Sequence, residues 1–287
     1  MNRIKLVSML EQFFIEDVGD GDLSANSLFP ADAIGEMQII SKTSGVFCGV
    51  DVITTGFQVM NPSIEVTCLV EDGERITDKQ ILATVKGPVR SLLTAERVIL
   101  NCIQRMTAIA TKTADLTALL SGTNTRVCDT RKTAPGLRML DKYAVRTGGG
   151  FNHRNGLYDA VMLKDNHLAY AGSITNAVQL LRTRLGHTVK IEVEIESLAQ
   201  LQEAIEANVD IIMFDNRTPQ QITDWLPLVP PDIITEASGM ITEDTIASYG
   251  ETGIDYISVG ALTHSVIAAD ISATIQLTTQ EDGRICR

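Results

Sequence analysis

Between Asp129 and His167 the chain holds seven Lys or Arg against four Asp, a local charge of +3 in a chain whose formal net charge is −12. His153 and His167, two of the four histidines, fall in the same window. Cations concentrated against the prevailing field suit a small, multiply charged anion. Each guanidinium can present two parallel N–H groups to a carboxylate, and a charged hydrogen bond contributes about 1.5–3 kcal/mol. Within "DTRKTAPGLRMLDKYAVRTGGGFNHR" (129–154), Arg131 and Lys132 follow a short apolar segment, and His153 and Arg154 follow three glycines. Lys164 closes the apolar run "AVMLK". Alone, Arg131 and Lys132 would be a solvated loop pair. With His153, Arg154 and Lys164 delivered by separate strand ends, they become the lining of an anion pocket. The glycines of "TGGG" (147–150) form either an ordinary loop or a place where backbone approaches a ligand closely.

Glu194 and Asp215 stand in otherwise apolar runs, "VKIEVEIE" and "VDIIMFD". A buried carboxylate needs a partner. Either Glu194 pairs with Lys164 or Lys190, or the two acids hold ribose hydroxyls or Mg²⁺. Glu192 shares the parity of Glu194 and therefore its face. "EASGMITEDT" and "SVGALTHS" place Ser238, Gly239 and Gly260 after strands and before helices, the setting of a phosphate site. "EDVGDGDLS" (16–24) fits no EF-hand register, since position six from Asp20 is Ala25; an Asx turn with a helix cap is expected.

These groups need a scaffold. Strand-length apolar runs begin near residues 189, 209, 232 and 254, separated by helical stretches, and this βα spacing implies parallel strands in a wound sheet or barrel. Lys164, Glu194, Asp215, Ser238 and Gly260 all fall at or near C-terminal strand ends, where a βα barrel gathers its site. Adding strands at 160–164 and 126–129 gives six, and one at 147–151 would make seven, so an irregular barrel is expected. Upstream, residues 36–90 read as a small β-rich unit, and 91–120 lack Gly and Pro and read as one long helix or two abutting ones. The net charge of −12 argues against nucleic acid and anionic membranes as partners. Five cysteines without metal-ligand spacing, and a start without an apolar signal segment, point to the cytoplasm.

The motifs "DTRKTAPGLRMLDKYAVRTGGGFNHRNGLYDAVMLKDNH", "EDVGDGDLS", "TAERVILNCIQRM", "KIEVEIES", "MFDN", "EASG" and "DYISVGALTHS" occur in order from about residue 10 to 275. Together they resemble the quinolinate phosphoribosyltransferase family. The resemblance implies an N-terminal α/β sandwich (1–111), an irregular α/β barrel (112–267), and a tail (268–287) returning to the first domain. It implies transfer of phosphoribosyl from phosphoribosyl pyrophosphate to quinolinate with decarboxylation, giving nicotinate mononucleotide for NAD synthesis, with Mg²⁺ as cofactor. It implies a homodimer, open to higher assembly, whose sites are shared: Arg97 would come from the partner subunit. Arg131, Lys132, His153, Arg154 and Lys164 match the cationic lining, and Glu194 and Asp215 the acids near ribose and metal. Lys132, Lys164, Glu194 and Asp215 are the expected catalytic groups; Ser238, Gly239 and Gly260 match the phosphate loops. Met240 departs from the family's usual glycine. If that position takes a positive φ, a side chain there is strained or narrows the site. The competing readings are a molybdenum-associated paralogue, a nicotinate-type phosphoribosyltransferase, and a catalytically silent metabolite sensor.

Overall fold

The computed structural model describes residues 1–277. Residues 278–287 of the expected tail, with Cys286, lie outside the described residues. The chain divides into two compact units: Met1–Thr111 with Met139–Thr147 and the chain from Val266, and Lys112–Arg138 with Gly148–Ser265.

In the first unit, helix α1 (Arg3–Val18) starts where the Asn2 side chain accepts the Lys5 N–H, at 3.1 Å. It buries Leu6, Leu10 and Phe14, one residue every four, which is the stripe a helix lays against a core. Strand β1 (Ile34–Ser41) alternates, with Gly35, Met37, Ile39 and Ser41 turned inward. Helix α2 (Val50–Met60) begins at Asp72, whose carboxylate accepts the Gly49 and Val50 N–H groups at 2.6 and 3.0 Å. With β2 (Glu65–Cys68) and β3 (Ile81–Pro88), β1 forms an antiparallel sheet whose outer strand is Ile271–Leu277, paired with β1. Residues 91–120, expected as one helix or two, form the single helix α3 (Val89–Leu119). The Asx turn also forms: Asp22 caps the helix Leu23–Leu28 by accepting the Ala25 N–H at 2.9 Å.

Helix α4 (Arg138–Thr147) lies inside the cation-rich window, yet its residues from Met139 onward belong to the first unit. There Asp141, wholly buried, accepts two bonds from Arg105 at 2.7 and 2.8 Å. Tyr143 donates to Asp72 at 2.8 Å. Lys142 is buried on the same helix.

The second unit is a six-stranded parallel sheet, an irregular α/β barrel. Its strands are β4 (Arg126–Cys128), β5 (Val161–Leu163), β6 (Ile191–Ile195), β7 (Ile211–Asp215), β8 (Ile234–Ser238) and β9 (Tyr256–Ser258), in the order β4-β9-β8-β7-β6-β5. The possible strand at 147–151 reduces to one bridge between Phe151 and Cys128. The three glycines before Phe151 supply no side chains to pack, and Gly149 turns the backbone to φ +87°. Val193, Ile195, Ile212 and Phe214 are buried on one face of the sheet, while Glu192, Glu194, Met213 and Asp215 share the other parity.

Candidate active site

The six strands each bring a polar group to their C-terminal ends. Asp129 follows β4, Lys164 follows β5, Glu194 sits in β6, and Asp215, Ser238 and Ser258 end β7, β8 and β9. All but Asp129 line a cavity of about 550 Å³, the size of a small-metabolite site. Arg131, Lys132, His153, Arg154, Lys164, Glu194, Asp215, Ser238 and Gly239 all line it. Arg97 does not: it stands on α3 in the first unit with its side chain 59% exposed, 3.9 Å from Glu96. Gly260 lies one layer back. A Cβ there would come within 3.0 Å of the Lys132 stem, so its hydrogen leaves room for that side chain.

The cations are unevenly committed. Lys164 forms an ion pair with Glu194, the salt-bridge alternative for that acid. Burial pushes the Glu194 carboxyl above its ordinary value, with the Lys164 bond opposing and Asp215 and Glu192 adding to the rise. The Lys132 ammonium has no ion pair among the described residues and is exposed. Arg154 donates to the Ala160 carbonyl at 3.0 Å, but its Nε and that of Arg131 are buried without a partner. Burial, then the neighbouring Arg131 guanidinium, lower the Arg154 pKa from the usual arginine value. Two adjacent guanidiniums with unfilled donors are a receptor for anionic oxygens. Of the seven cations in the sequence window, Arg131, Lys132, Arg154 and Lys164 line the cavity; Arg138 bonds Thr133 and Asn155, and Lys142 and Arg146 go with α4.

His153 is held among acids. Its Nε2 lies 2.9 Å from Glu192, and its backbone N–H donates to Asp129 at 2.9 Å. Glu236 accepts from Ser258, whose hydroxyl is 3.2 Å from the Cys128 sulfur. Burial, then Glu192, push Glu236 up to about 7. Burial also raises the Cys128 thiol far above the range in which a thiolate acts as a nucleophile. Sequence reasoning passed over Glu236, Asp129 and Ser258. The parity signal was available for Glu236, an acid in the apolar run "DIITEA" two residues before Ser238 and so on its face.

Gly239 has φ +98°, and a Cβ there would collide with the Asn216 side chain and reach 2.9 Å from its backbone nitrogen. Next to it, Met240 takes φ +52° with 94% of its surface exposed. The backbone thus adopts the left-handed conformation anticipated for this position, and the side chain stands at the cavity rim without packing to offset the strain. Met240→Gly is expected to stabilise the fold by roughly 0.5–1 kcal/mol, the left-handed penalty less the added freedom of the unfolded chain. Thermal melting measures it, and a lower melting temperature would contradict the strain.

Two family models divide the chain between them: quinolinate phosphoribosyl transferase, N-terminal domain, over residues 22–107, and its C-terminal domain over 109–274. The chain belongs to the quinolinate phosphoribosyl transferase family. A probable carboxylating nicotinate-nucleotide pyrophosphorylase of Bacillus subtilis is 45% identical over 286 residues, 100% of this chain and 99% of that protein. The corresponding Mycobacterium leprae protein is 39% identical, covering 89% of this chain and 92% of its own. Among solved structures, NadC from Streptococcus pyogenes superposes with TM-score 0.93 at 38% identity, covering 97% of this chain and 99% of that one. As in other quinolinate phosphoribosyl transferases, the fold is mixed α/β with an N-terminal sheet domain and a parallel six-stranded sheet. Among the described residues no helix is long and apolar enough to cross a membrane.

Carboxylate oxygens at the mouth are the donors a hard divalent cation takes, although Glu194 shares its carboxylate with Lys164. Glu194 and Asp215 offer carboxylate oxygens from adjacent strands, and Asp215 contributes to raising the Glu194 pKa, so the two charges act on one another.

Proposed function

We infer that this chain is a decarboxylating quinolinate phosphoribosyltransferase, working on the pathway to NAD. The observation that carries the reading is the convergence of Arg131, Lys132, Arg154 and Lys164 on one cavity, facing Glu194 and Asp215. Quinolinate carries two adjacent carboxylates, and the unfilled guanidinium donors of Arg131 and Arg154 suit them. A monocarboxylate such as nicotinate would leave part of that lining unneutralised.

The ring nitrogen attacks C1 of phosphoribosyl pyrophosphate; the C1–oxygen bond breaks and its electron pair leaves with pyrophosphate. Positive charge develops on the sugar, and Glu194 and Asp215 stabilise it while orienting the ribose hydroxyls. Ser238 and Gly239 receive the 5′-phosphate, and Gly260 leaves room for the Lys132 side chain in the lining. Mg²⁺, held by Glu194 and Asp215, would neutralise charge on the pyrophosphate. Once glycosylated, the nitrogen is cationic and accepts electron density as the 2-carboxylate departs as CO₂; C2 then takes up a proton. The buried neutral Cys128 has no part, and positioning with electrostatics supplies the catalysis.

Arg97 belongs to this reading through a homodimer. Its exposed guanidinium on α3 is available to a neighbouring subunit's cavity, and the assembly we propose is a dimer of shared sites. The deciding assay follows CO₂ and nicotinate mononucleotide from quinolinate, phosphoribosyl pyrophosphate and Mg²⁺, with nicotinate in parallel. Turnover confined to quinolinate is the expected result. Equal turnover of nicotinate, or none of either by folded protein, would overturn the assignment.

A further inference from the structure

Beneath the cationic lining lies a group of buried charges that the reaction above leaves without a role. Glu192 and Glu236 are 1% and 4% exposed, and both approach His153 Nε2, at 2.9 and 3.7 Å. The other ring nitrogen, Nδ1, accepts the backbone N–H of Arg154 at 2.8 Å. A backbone amide can only donate, so Nδ1 carries no proton and Nε2 must carry one. Its nearest acceptor is Glu192. The same imidazole and two carboxylates form a donor set for a divalent cation. That reading is rejected on the state of the ring: with Nδ1 occupied by the Arg154 N–H, Nε2 keeps its proton and has no lone pair to give a metal.

We propose that Glu192 is a positioning residue for Arg154: by accepting the His153 Nε2 proton it leaves Nδ1 free to hold the Arg154 backbone, and so sets where that guanidinium enters the cavity. With Glu192 gone, Glu236 stands 3.7 Å from Nε2, too far for a hydrogen bond, and the ring can flip or move its proton to Nδ1. An N–H would then face the Arg154 N–H, and two donors repel. Asp129 fixes the other side of the segment, accepting from His153 N–H and from Asn152 Nδ2 at 2.6 Å. The chain of contacts runs from Glu192 through the ring to the Arg154 backbone, with no direct contact to substrate required.

The kinetic half of the test rests on the reaction proposed above; the ring-state half does not. The protein has four histidines, so long-range ¹H–¹⁵N spectra can assign the His153 tautomer in the full chain. The wild type is expected to show the Nε2–H form. Glu192→Met, which fills similar volume without an acceptor, should lose that signature and raise the KM for quinolinate about tenfold, with kcat changing less. Glu192→Gln keeps an amide oxygen in reach and should recover most of the loss. The proposal is overturned if Glu192→Met retains both tautomer and KM. It is equally overturned if Glu192→Gln falls as far as Glu192→Met with the ring unchanged, because charge rather than the hydrogen bond would then be responsible. Thermal melting checks each variant's fold, and Glu192→Ala replaces Glu192→Met if the methionine cannot be accommodated. Absence of turnover in the wild type would remove the enzymatic reading while the spectra still decide the ring state.

Discussion

Arg154→Leu is expected to raise the KM for quinolinate by two to three orders of magnitude with the fold intact. The Arg154 guanidinium faces the cavity with Nε buried and unpartnered, while one terminal nitrogen is anchored on the Ala160 carbonyl. A side chain fixed at one end with donors unfilled at the other loses little freedom on receiving a carboxylate. Two charged hydrogen bonds lost to leucine amount to about 3–6 kcal/mol, and the lower part of that span, about 3–4 kcal/mol, is that range of KM. Stability should change by less than about 1 kcal/mol, because the lost bond to Ala160 and the lost attraction to Glu192, Asp159 and Glu194 are offset by relief of the buried charge and of its repulsion from Arg131. Arg154→Lys should recover only part of the affinity, since a point charge cannot make the paired contact. Initial-rate kinetics against quinolinate, with the second substrate saturating, measure the effect. A KM within threefold of wild type would remove Arg154 from the binding site.

Much of this site was legible in the chain because β-strands encode their geometry in parity and in their ends. Lys164, Glu194, Asp215 and Ser238 interrupt apolar runs at strand termini, and the parallel sheet brings all four to one mouth. The charge count was less faithful. Arg138, Lys142 and Arg146 lie in the same +3 window, but α4 carries Lys142 and Arg146 into the first unit, where Asp141 and Tyr143 of that helix find partners. A count along the chain has no access to that divergence, because it depends on Arg105 and Asp72, residues far away in sequence. His153 was read as one more cation, and the acids around it changed its role. Its surroundings come from Glu192 on β6 and Glu236 on β8, strands separated by β7, whose side chains meet at the His153 ring.

Glu236→Gln is expected to stabilise the protein by up to about 3 kcal/mol more at pH 8 than at pH 4.5, with no residue placed at the substrate altered. The sign follows from proton binding. Burial and the nearby Glu192 carboxylate hold Glu236 up at about 7, against 4.5 for the free side chain. Below 4.5 it is protonated in both folded and unfolded chains, and its titration makes no difference to stability. Between 4.5 and 7 the unfolded chain releases the proton while the folded one keeps it, so stability falls as pH rises; above 7 the loss is complete. Glutamine titrates in neither state, yet its amide oxygen can still accept from Ser258 in place of the carboxylate. Subtracting wild type from variant cancels every group that does not feel Glu236, leaving a difference that grows across that window. Urea unfolding of both proteins at pH 4.5, 6 and 8 reads it directly. A difference that stays constant would mean Glu236 is ionised in the fold throughout, with the His153 cluster compensating a full buried charge.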